Sequence, residues 1–311
     1  MDAPAQFETQ RNGRTSIFAI IVLYNKLAAS SPTIKTLLEA AHAASNRLRL
    51  TVLIVDNTPG GQDPGILPEG VRYYAEPDNP GLAVPYNKAL KMAEEEGFTW
   101  LLTLDQDTNL PVDFLKKIEV YAEEYVSDAR VAGIVPRIAD RGRLISPFRF
   151  VGGFFPKVLA PGVEGVSKRF TSALNSASML RVSAVRMLGG YDLQFPLHNS
   201  DTNLFHRLDL AGKRLIVAGN ILVNHELAIM DRQGRMTPER YRRLLADERA
   251  FWDFHMGVLG RAERLLRLVG RMCKDTLRDE NRDFRAITLN EIKLRLLTRR
   301  SNRIRRWTEA R

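Results

Sequence analysis

The feature that most constrains the fold of this chain is a series of short apolar segments separated by helix-like segments. Continuous apolar runs are typical of strands that are buried on both faces of a sheet. Ser16–Leu23 is the clearest such run, and the first half of the chain contains five predicted strands in all: Ser16–Leu23, Leu50–Val55, Val71–Ala75, Phe98–Leu104 and Val131–Val135. The segments between them favour helices over about 31–46, 82–96 and 111–128. Repeated β-α-β units predict an α/β fold with a mostly parallel central sheet flanked by helices.

The pattern changes twice in the second half. Residues 138–170 are rich in Gly, Pro, Phe and Arg, and predict loops and short strands beside a site. Further on, helices are predicted near 182–188 and 201–211, and two separate strands at 214–218 and 222–223. From about residue 230 the pattern is helical and arginine-rich. We therefore expect a polar N-terminal segment (1–14), an α/β domain (15–229) and a basic, largely helical extension (230–311).

The excess positive charge of the chain lies in this extension. The net charge is +10, yet residues 1–230 carry 24 Lys and Arg against 24 Asp and Glu. Residues 231–311 carry 22 against 12. A domain that binds nucleic acid is expected to have a basic face of its own, so we expect no nucleic-acid partner for the α/β domain.

Two further features concern the compartment. Cys273 is the single cysteine, which excludes an intramolecular disulfide and a cysteine-rich zinc site. The N-terminus lacks the basic and apolar regions of a signal peptide, and the longest apolar runs fall short of the roughly 20 residues that span a bilayer. The expected location is the cytoplasm.

Polar residues follow four of the predicted strands. These strand ends carry Tyr24 and Asn25, Asp56 and Asn57, Asn79 and Gly81, and Asp105 and Asp107. Ligands of open parallel sheets bind outside the carboxyl ends of the strands. The alternative is that these residues only form turns, in which Asn, Asp and Gly are common. Four successive clusters, two of them with carboxylates, favour a ligand site.

The spacing of Asp105 and Asp107 predicts a metal site. In an extended segment, residues i and i+2 point to the same side, so both carboxylates can face one centre. Two negative charges this close repel each other unless a cation accompanies them. Mg²⁺ or Mn²⁺ suits such oxygen ligands and commonly binds one or two carboxylates together with substrate phosphates.

Together these segments resemble the family 2 glycosyltransferases of the GT-A fold, and more narrowly their rhamnosyltransferase-like branch. The matching segments are Val22-Leu-Tyr-Asn25, Val55-Asp-Asn57, Asn79-Pro-Gly-Leu-Ala-Val-Pro-Tyr-Asn87 and Leu104-Asp-Gln-Asp-Thr108. The resemblance implies a Rossmann-like GT-A domain with a divalent metal, Mg²⁺ or Mn²⁺, held by Asp105 and Asp107. It implies that the donor nucleotide lies against the following residues: Tyr24, Asn25, Asp56, Asn57, Asn79, Gly81, Asn87 and Asp105.

The resemblance continues into the second half, through Asn175-Ser-Ala-Ser-Met-Leu-Arg181, Leu188-Gly-Gly-Tyr-Asp192, the segment 197–207 and Val223-Asn-His-Glu-Leu227. It implies that Asp201 is the general base and that Ser176, His198 and Asn203 lie on the acceptor side. Two of these depart from the family pattern, since His198 stands where Asp is usual and Asn203 where Glu is usual. His225 is implied as a third metal ligand, with a purely structural role as the alternative.

The implied reaction is an inverting transfer of a hexose from a nucleotide sugar to a hydroxyl of a bacterial glycan or glycolipid. L-rhamnose from dTDP-rhamnose is the first candidate donor. A UDP-hexose transferase of the same fold and a non-catalytic glycan-binding or scaffolding relative are the alternatives. Retention of Asp105, Asp107 and Asp201 argues against the non-catalytic one. Arg207 is expected to be a structural partner of a carboxylate.

The extension carries amphipathic patterns within 258–307, with arginines at 261, 264, 267 and 271 on one side of the first. Such helices can lie on an anionic membrane with basic residues at the headgroups. This would make the protein peripheral on the inner face of the cell membrane. The alternative is that the apolar side packs on the α/β domain or on a second subunit. A homo-oligomer is also left open.

Overall fold

A computed structural model describes residues 15–152, 155–225, 236–277 and 282–310. The predicted N-terminal segment (1–14) and the predicted boundary at 229/230 lie outside these residues. The strands are β1 (Ser16–Leu23), β2 (Arg49–Asp56), β3 (Val71–Ala75), β4 (Trp100–Asp105), β5 (Thr108–Asn109), β6 (Val131–Asp140), β7 (Arg143–Ser146), β8 (Phe148–Val151), β9 (Phe155–Val158), β10 (Gly165–Val166), β11 (Thr171–Ser172), β12 (Ser178–Arg181) and β13 (Arg214–His225). The helices are α1 (Pro32–Ala43), α2 (Ala83–Glu95), α3 (Phe114–Glu124), α4 (Val182–Met187), α5 (Ser200–Leu210), α6 (Pro238–His255), α7 (Val258–Leu277), α8 (Arg282–Leu297) and α9 (Arg300–Glu309).

The predicted α/β fold with a mostly parallel sheet is confirmed. The strand order is β10-β13-β6-β12-β4-β1-β2-β3, and outside this path β5 pairs with β13 and β7 with β6. Pairs β1–β2, β1–β4, β2–β3 and β6–β13 are parallel, whereas β12 runs antiparallel to both β4 and β6. The two strands predicted at 214–218 and 222–223 are one strand, β13, in which a bulge between Ala218 and Leu222 interrupts the pairing with β6.

Both faces of the sheet are covered, which explains the continuous apolar runs. Alternate residues of β1 belong to two cores: Ile17 and Ile21 pack with α1 and α3, whereas Phe18 and Ile20 pack with α2. All eight residues of β1 are buried. Parallel pairing places Leu23 opposite Asp56 and Val22 opposite Asp105. The polar ends of β1, β2 and β4 therefore lie at one edge.

The middle segment forms short strands, as predicted. Strands β8, β9 and β11 make a small second sheet, and β7 folds back on β6. Arg137 of β6 anchors the segment, because its guanidinium donates to the backbone oxygens of Ala160, Pro161 and Val163.

Helices α6 to α9 make up the described part of the extension. One cluster of buried side chains joins α6, α7 and α8, and another joins α6 and α9 to the α/β domain through Phe195, which packs against Phe251 and Trp307. Buried ion pairs reinforce the packing: Arg249 with Glu291 at 2.5 Å and Arg303 with Asp253 at 2.6 Å. Within the ranges described above, none of the helices is both long and apolar enough to span a bilayer.

Candidate active site

Asp105, Asp107 and His225 come together at the edge of the sheet. Asp105 ends β4, and His225 ends β13, which pairs with β5 so that His225 lies opposite Thr108. His225 Nε2 lies 3.6 Å from Asp105 Oδ2, and His225 Nδ1 lies 3.5 Å from Asp107 Oδ1. The two carboxylates implied as metal ligands therefore flank the imidazole of the third, although His225 is distant from them in the sequence.

Two carboxylates and an imidazole suit Mg²⁺ or Mn²⁺. Burial raises the pKa of Asp105, His225 acts against this shift, and the charge of Asp107 adds to it. A cation here would relieve that repulsion. Thr108 Oγ1 lies 3.0 Å from Nδ1 of His225, which leaves Nε2 as the nitrogen that faces Asp105. In the part of the chain that the structure describes, no three His, Cys, Asp or Glu side chains are already close enough to hold a metal ion. The donor atoms of Asp105, Asp107 and His225 are of the right kind for the ion, and they would have to move slightly closer together to bind it.

The loop that carries the two acids is fixed by residues that no sequence motif identifies. Thr33 Oγ1, in the first turn of α1, donates to Asp105 O at 2.6 Å and accepts from the Thr108 amide at 2.8 Å. Gln106 accepts from the Tyr24 amide at 2.7 Å and donates to Tyr24 O at 3.2 Å. The middle residue of the triplet thus holds β1, and Asp105 and Asp107 are left facing His225.

Asp56 is fully buried and engaged by its own surroundings. It accepts from the Thr58 amide (2.9 Å), from Gln62 Nε2 (2.9 Å) and from Tyr73 Oη (2.6 Å). Burial acts to raise the pKa of Asp56, but these hydrogen bonds outweigh it and the pKa is lowered. Asp56 is therefore a fixed negative charge beneath the ends of β1 and β2.

Asn57 connects this strand end to the following loop. Its amide donates to Leu23 O at 2.8 Å and its Nδ2 to Gly81 O at 2.6 Å. Its Oδ1 is buried, and none of the described residues hydrogen-bonds to it. A buried carbonyl oxygen of this kind is a candidate ligand acceptor. The nearby Asn25 has a φ of 51° and donates its amide to Thr58 Oγ1 at 2.8 Å.

The loop before α2 depends on Gly81. Its φ is +84°, and an added Cβ would lie 2.5 Å from Pro196 O. That oxygen accepts from the amides of Leu82 (2.5 Å) and Ala83 (3.0 Å) at the start of α2. Asn79, with a φ of 47°, makes the preceding turn. The loop implied to hold the donor is thereby joined to the segment that precedes Asp201.

Asn87 makes contacts other than those that the resemblance implied. Its Nδ2 donates to Tyr191 O at 2.9 Å, and its Oδ1 accepts from the Tyr191 amide at 2.7 Å. Beside it, Gly190 has a φ of +88°, and a Cβ there would lie 2.3 Å from Asn87 Oδ1. Both polar atoms of Asn87 therefore fix the Gly-Gly-Tyr turn rather than point into open space.

Asp201 lies in the first turn of α5. Its Oδ1 accepts from the Thr202 amide at 2.6 Å and from Thr202 Oγ1 at 3.3 Å. Burial raises the pKa of Asp201 to about 6, and the charge of Asp105 acts in the same direction. Asp201 is thus ionised at neutral pH, yet more basic than an exposed carboxylate.

Two tyrosines, Tyr86 and Tyr191, lie near Asp105 and Asp201. Tyr86 donates to Asp105 Oδ1 at 3.3 Å, and its ring centre is 5.0 Å from that of Tyr191. Burial raises the pKa of both phenols, and the charges of Asp105 and Asp201 act on both in the same direction. The two tyrosines and the two carboxylates therefore lie within electrostatic reach of one another.

The three residues assigned to the acceptor side differ in their surroundings. Ser176 is fully buried, with its Oγ 2.5 Å from Thr108 Oγ1 and 3.3 Å from the Asp105 amide, so it belongs to the frame of the acidic loop. Asn203 donates to Asp192 Oδ2 at 3.2 Å. Burial, with Arg240 and Arg243, lowers the pKa of His198 to about 4. His198 is therefore neutral at pH 7.

Asn203 Oδ1 and His198 Nε2 are both buried, and neither has a hydrogen-bond partner in the described ranges. The expectation for Arg207 is wrong in its partner, since it donates to two backbone oxygens, Gly190 O at 2.8 Å and Leu188 O, instead of a carboxylate. Its positive charge stabilises the end of α4, where carbonyl groups lack helical partners.

Comparison with known proteins identifies the fold and the family. Among solved structures, GalNAc-T7 crystallised with UDP, GalNAc and Mn²⁺ has a TM-score of 0.54 at 13% identity, over 77% of this chain and 49% of that one. Residues 1–349 of S. aureus TarS give 0.51 at 14% identity, over 93% of this chain and 88% of that one. The chain thus spans about half of the GalNAc-T7 structure, and both likenesses concern the fold, which is that of the GT-A glycosyltransferases.

No curated protein matched the sequence. The family described as glycosyl transferase family 2 matches residues 18–175, which is half of the chain and includes β1 to β6 with the acidic loop. The chain therefore belongs to glycosyl transferase family 2.

Proposed function

We propose that this glycosyltransferase moves a hexose from a nucleotide sugar to a hydroxyl of a bacterial glycan or glycolipid, with inversion at the anomeric carbon. One observation carries the proposal: Asp105 and Asp107 both lie beside His225, and the more basic Asp201 is near enough for the charge of Asp105 to raise its pKa. A group that can hold a cation and a group that can accept a proton are both required for direct displacement.

Asp105, Asp107 and His225 would hold Mg²⁺ or Mn²⁺. When bound, such an ion stabilises negative charge on the departing diphosphate. Thr33 keeps the acidic loop in position through its hydrogen bonds to Asp105 O and the Thr108 amide, and Gln106 joins the loop to the backbone of Tyr24. The contacts of Asp56 support a role in shaping the nucleotide site, and Asn57 Oδ1 is an acceptor that a base or ribose hydroxyl could use.

Asp201 is the proposed general base. The acceptor oxygen attacks the anomeric carbon, its proton passes to Asp201, and the bond to the diphosphate oxygen breaks with the electron pair on the leaving group. A pKa near 6 suits this role, because the carboxylate is ionised at pH 7 and more basic than an ordinary Asp. The anomeric configuration is inverted because the sugar undergoes a single displacement, without a covalent intermediate on the protein.

Two donors remain candidates. L-rhamnose from dTDP-rhamnose rests on the resemblance of Leu104-Asp-Gln-Asp-Thr108 to the rhamnosyltransferase-like branch. A UDP-hexose draws support from the GalNAc-T7 structure, which was determined with UDP. On the acceptor side, neutral His198 and Asn203 present unpaired polar atoms where the family usually has acids. We infer an acceptor that hydrogen-bonds to these groups and carries no positive charge at this point.

A panel of dTDP- and UDP-sugars tests the proposal by isothermal titration calorimetry in Mn²⁺, Mg²⁺ or EDTA, followed by assay of donor hydrolysis. We expect one donor to bind only with a divalent metal, and Asp107→Asn to lose that binding. Failure of every nucleotide sugar to bind in Mn²⁺ or Mg²⁺ would refute the proposed function. A cytoplasmic location and the oligomeric state remain predictions from the sequence.

A further inference from the structure

Helix α7 exposes its apolar side and turns most of its arginines inward. Arg264 stacks over the ring of Trp252 at 4.4 Å and lies 3.4 Å from Glu248, and Arg271 lies 5.9 Å from the ring of Tyr241. In contrast, Leu259 and Leu266 are 73% and 70% exposed. The arginines expected to meet lipid headgroups are therefore mostly engaged within the protein.

The exposed face of α7 forms a continuous uncharged strip. At the helical spacing of about 100° per residue, an arc of about 120° holds eight exposed residues without a charge. We call these the outer stripe: Val258, Leu259, Ala262, Leu266, Val269, Gly270, Cys273 and Thr276. A 20-residue helix is about 30 Å long. An exposed apolar strip of this length marks a contact with a membrane or a partner.

At one end, the outer stripe borders a cavity of about 190 Å³ between α6, α7, α8 and α9. Val258 and Ala262 belong both to the outer stripe and to the cavity wall. The polar part of the wall is formed mainly by four arginines: Arg249, Arg261, Arg295 and Arg303. We call this the arginine cavity.

The arginine cavity has more positive than negative charge. Its four guanidinium groups meet two carboxylates: Asp253, which binds Arg303, and Glu291, which binds Arg249 and Arg295. Arg261 bonds only to the Met256 carbonyl oxygen among the residues that the structure describes. Burial lowers the pKa of Arg249, and the charges of Arg295 and Arg303 act in the same direction. An anion in the cavity would balance this excess.

The combination distinguishes between possible occupants. A free phosphate ion would satisfy the arginines but leave the outer stripe in water. A second copy of the chain would cover the stripe but bring another positively charged cavity with it. A phospholipid has a phosphate group next to its acyl chains, just as the arginine cavity lies next to the outer stripe. We propose that the arginine cavity binds the phosphate of an anionic membrane lipid while the outer stripe of α7 lies among the acyl chains.

The test is co-sedimentation of the full chain with phosphatidylcholine vesicles, with and without phosphatidylglycerol, at fixed ionic strength. We expect pelleting only with phosphatidylglycerol. Leu266→Glu should abolish it, whereas Leu210→Glu, which changes an equally exposed leucine (71%) on α5, should not. Arg261→Gln should weaken binding about fivefold, the effect of one basic residue at an anionic surface. Arg305→Gln, which changes an exposed arginine of α9, is its control.

Circular dichroism melts and donor hydrolysis with each variant show whether the fold and the active site are intact. Equal pelleting with both kinds of vesicle, or unchanged binding by Leu266→Glu, would overturn the proposal. So would a chain that never pellets and whose dimer, measured by sedimentation velocity, is lost in Leu266→Glu. If inorganic phosphate alone raises the melting temperature and the chain does not bind vesicles, the arginine cavity is a site for a soluble anion and the proposal is overturned.

Discussion

Replacing Asp201 with Asn tests whether this carboxylate accepts the proton of the acceptor hydroxyl. Its pKa is raised to about 6, first by burial and further by the charge of Asp105, against the hydrogen bonds from Thr202. The rate of transfer should therefore rise with pH through about 6 and then level off. At pH 5, about one tenth of the enzyme has Asp201 ionised, so the rate should be about one tenth of its plateau.

A positioned general base contributes about 10²- to 10⁴-fold to rate. Asp201→Asn should therefore lower kcat at pH 7.5 by that factor and remove the dependence near pH 6. The assay measures kcat and KM for transfer from pH 5 to 8.5, with product detected by mass spectrometry. Donor Kd at pH 7.5 should stay unchanged. Asp209→Asn is the matched control, because it removes a carboxylate of the same helix that is bound to Arg214.

The pKa of Asp201 also predicts how Asp201→Asn changes the stability of the protein. Because the folded pKa of Asp201 lies above its ordinary value of 3.8, its contribution to stability is fully present below pH 3.8 and is lost as pH rises through about 6. Asn cannot ionise, so the melting temperature at pH 7.5 should equal or exceed that of the unchanged protein. A folded variant that keeps its rate, or keeps the pH dependence near 6, would refute the assignment of the base.

Three further predictions concern other parts of the structure. Asp107→Asn should weaken Mn²⁺-dependent donor binding by more than the roughly 10- to 100-fold that loss of an outer-shell partner causes, so that calorimetry no longer detects it, whereas the exposed Asp113→Asn should leave it unchanged. Gly81→Ala should lower the free energy of unfolding in urea by more than Gly60→Ala; both need a positive φ, but only Gly81 meets another backbone, and equal losses would contradict this. Asp253→Asn should cost about 3–5 kcal/mol in the same assay, because it leaves a buried arginine unpaired. A loss as small as that of Asp113→Asn would show that this ion pair is effectively exposed.

Much of the fold could be predicted from the sequence, because local patterns encode it. The apolar run of β1 is buried on both faces, and its bounds match those predicted from the run itself. The acidic pair could also be found from the sequence, but its local geometry differs from the prediction, because β4 ends at Asp105 and residues 106–107 form the turn before β5 instead of extended backbone. The two strands predicted near 214–223 merge into β13, since a bulge looks like a strand end in the sequence.

The partners of individual side chains could not be predicted in this way. Thr33 holds the acidic loop across 75 residues of chain, and no spacing rule connects a helix start to a distant strand end. Asn87 and Arg207 were each selected from local motifs, yet both bind the backbone of the 188–191 turn. The gain from such hydrogen bonds depends on which groups burial brings together, a property of packing rather than of sequence order.

The sequence by itself determined the order of strands and helices along the chain, the acidic pair and the position of the basic extension. Hydrophobic period and charge are local properties, so they can be read without the tertiary structure. Only the tertiary structure decided that His225 joins Asp105 and Asp107, since that contact needs β13 to pair with β5. It also decided which side of α7 faces water. The helix has apolar residues on more than one side, and the packing of α6 and α8 selects the side that is buried.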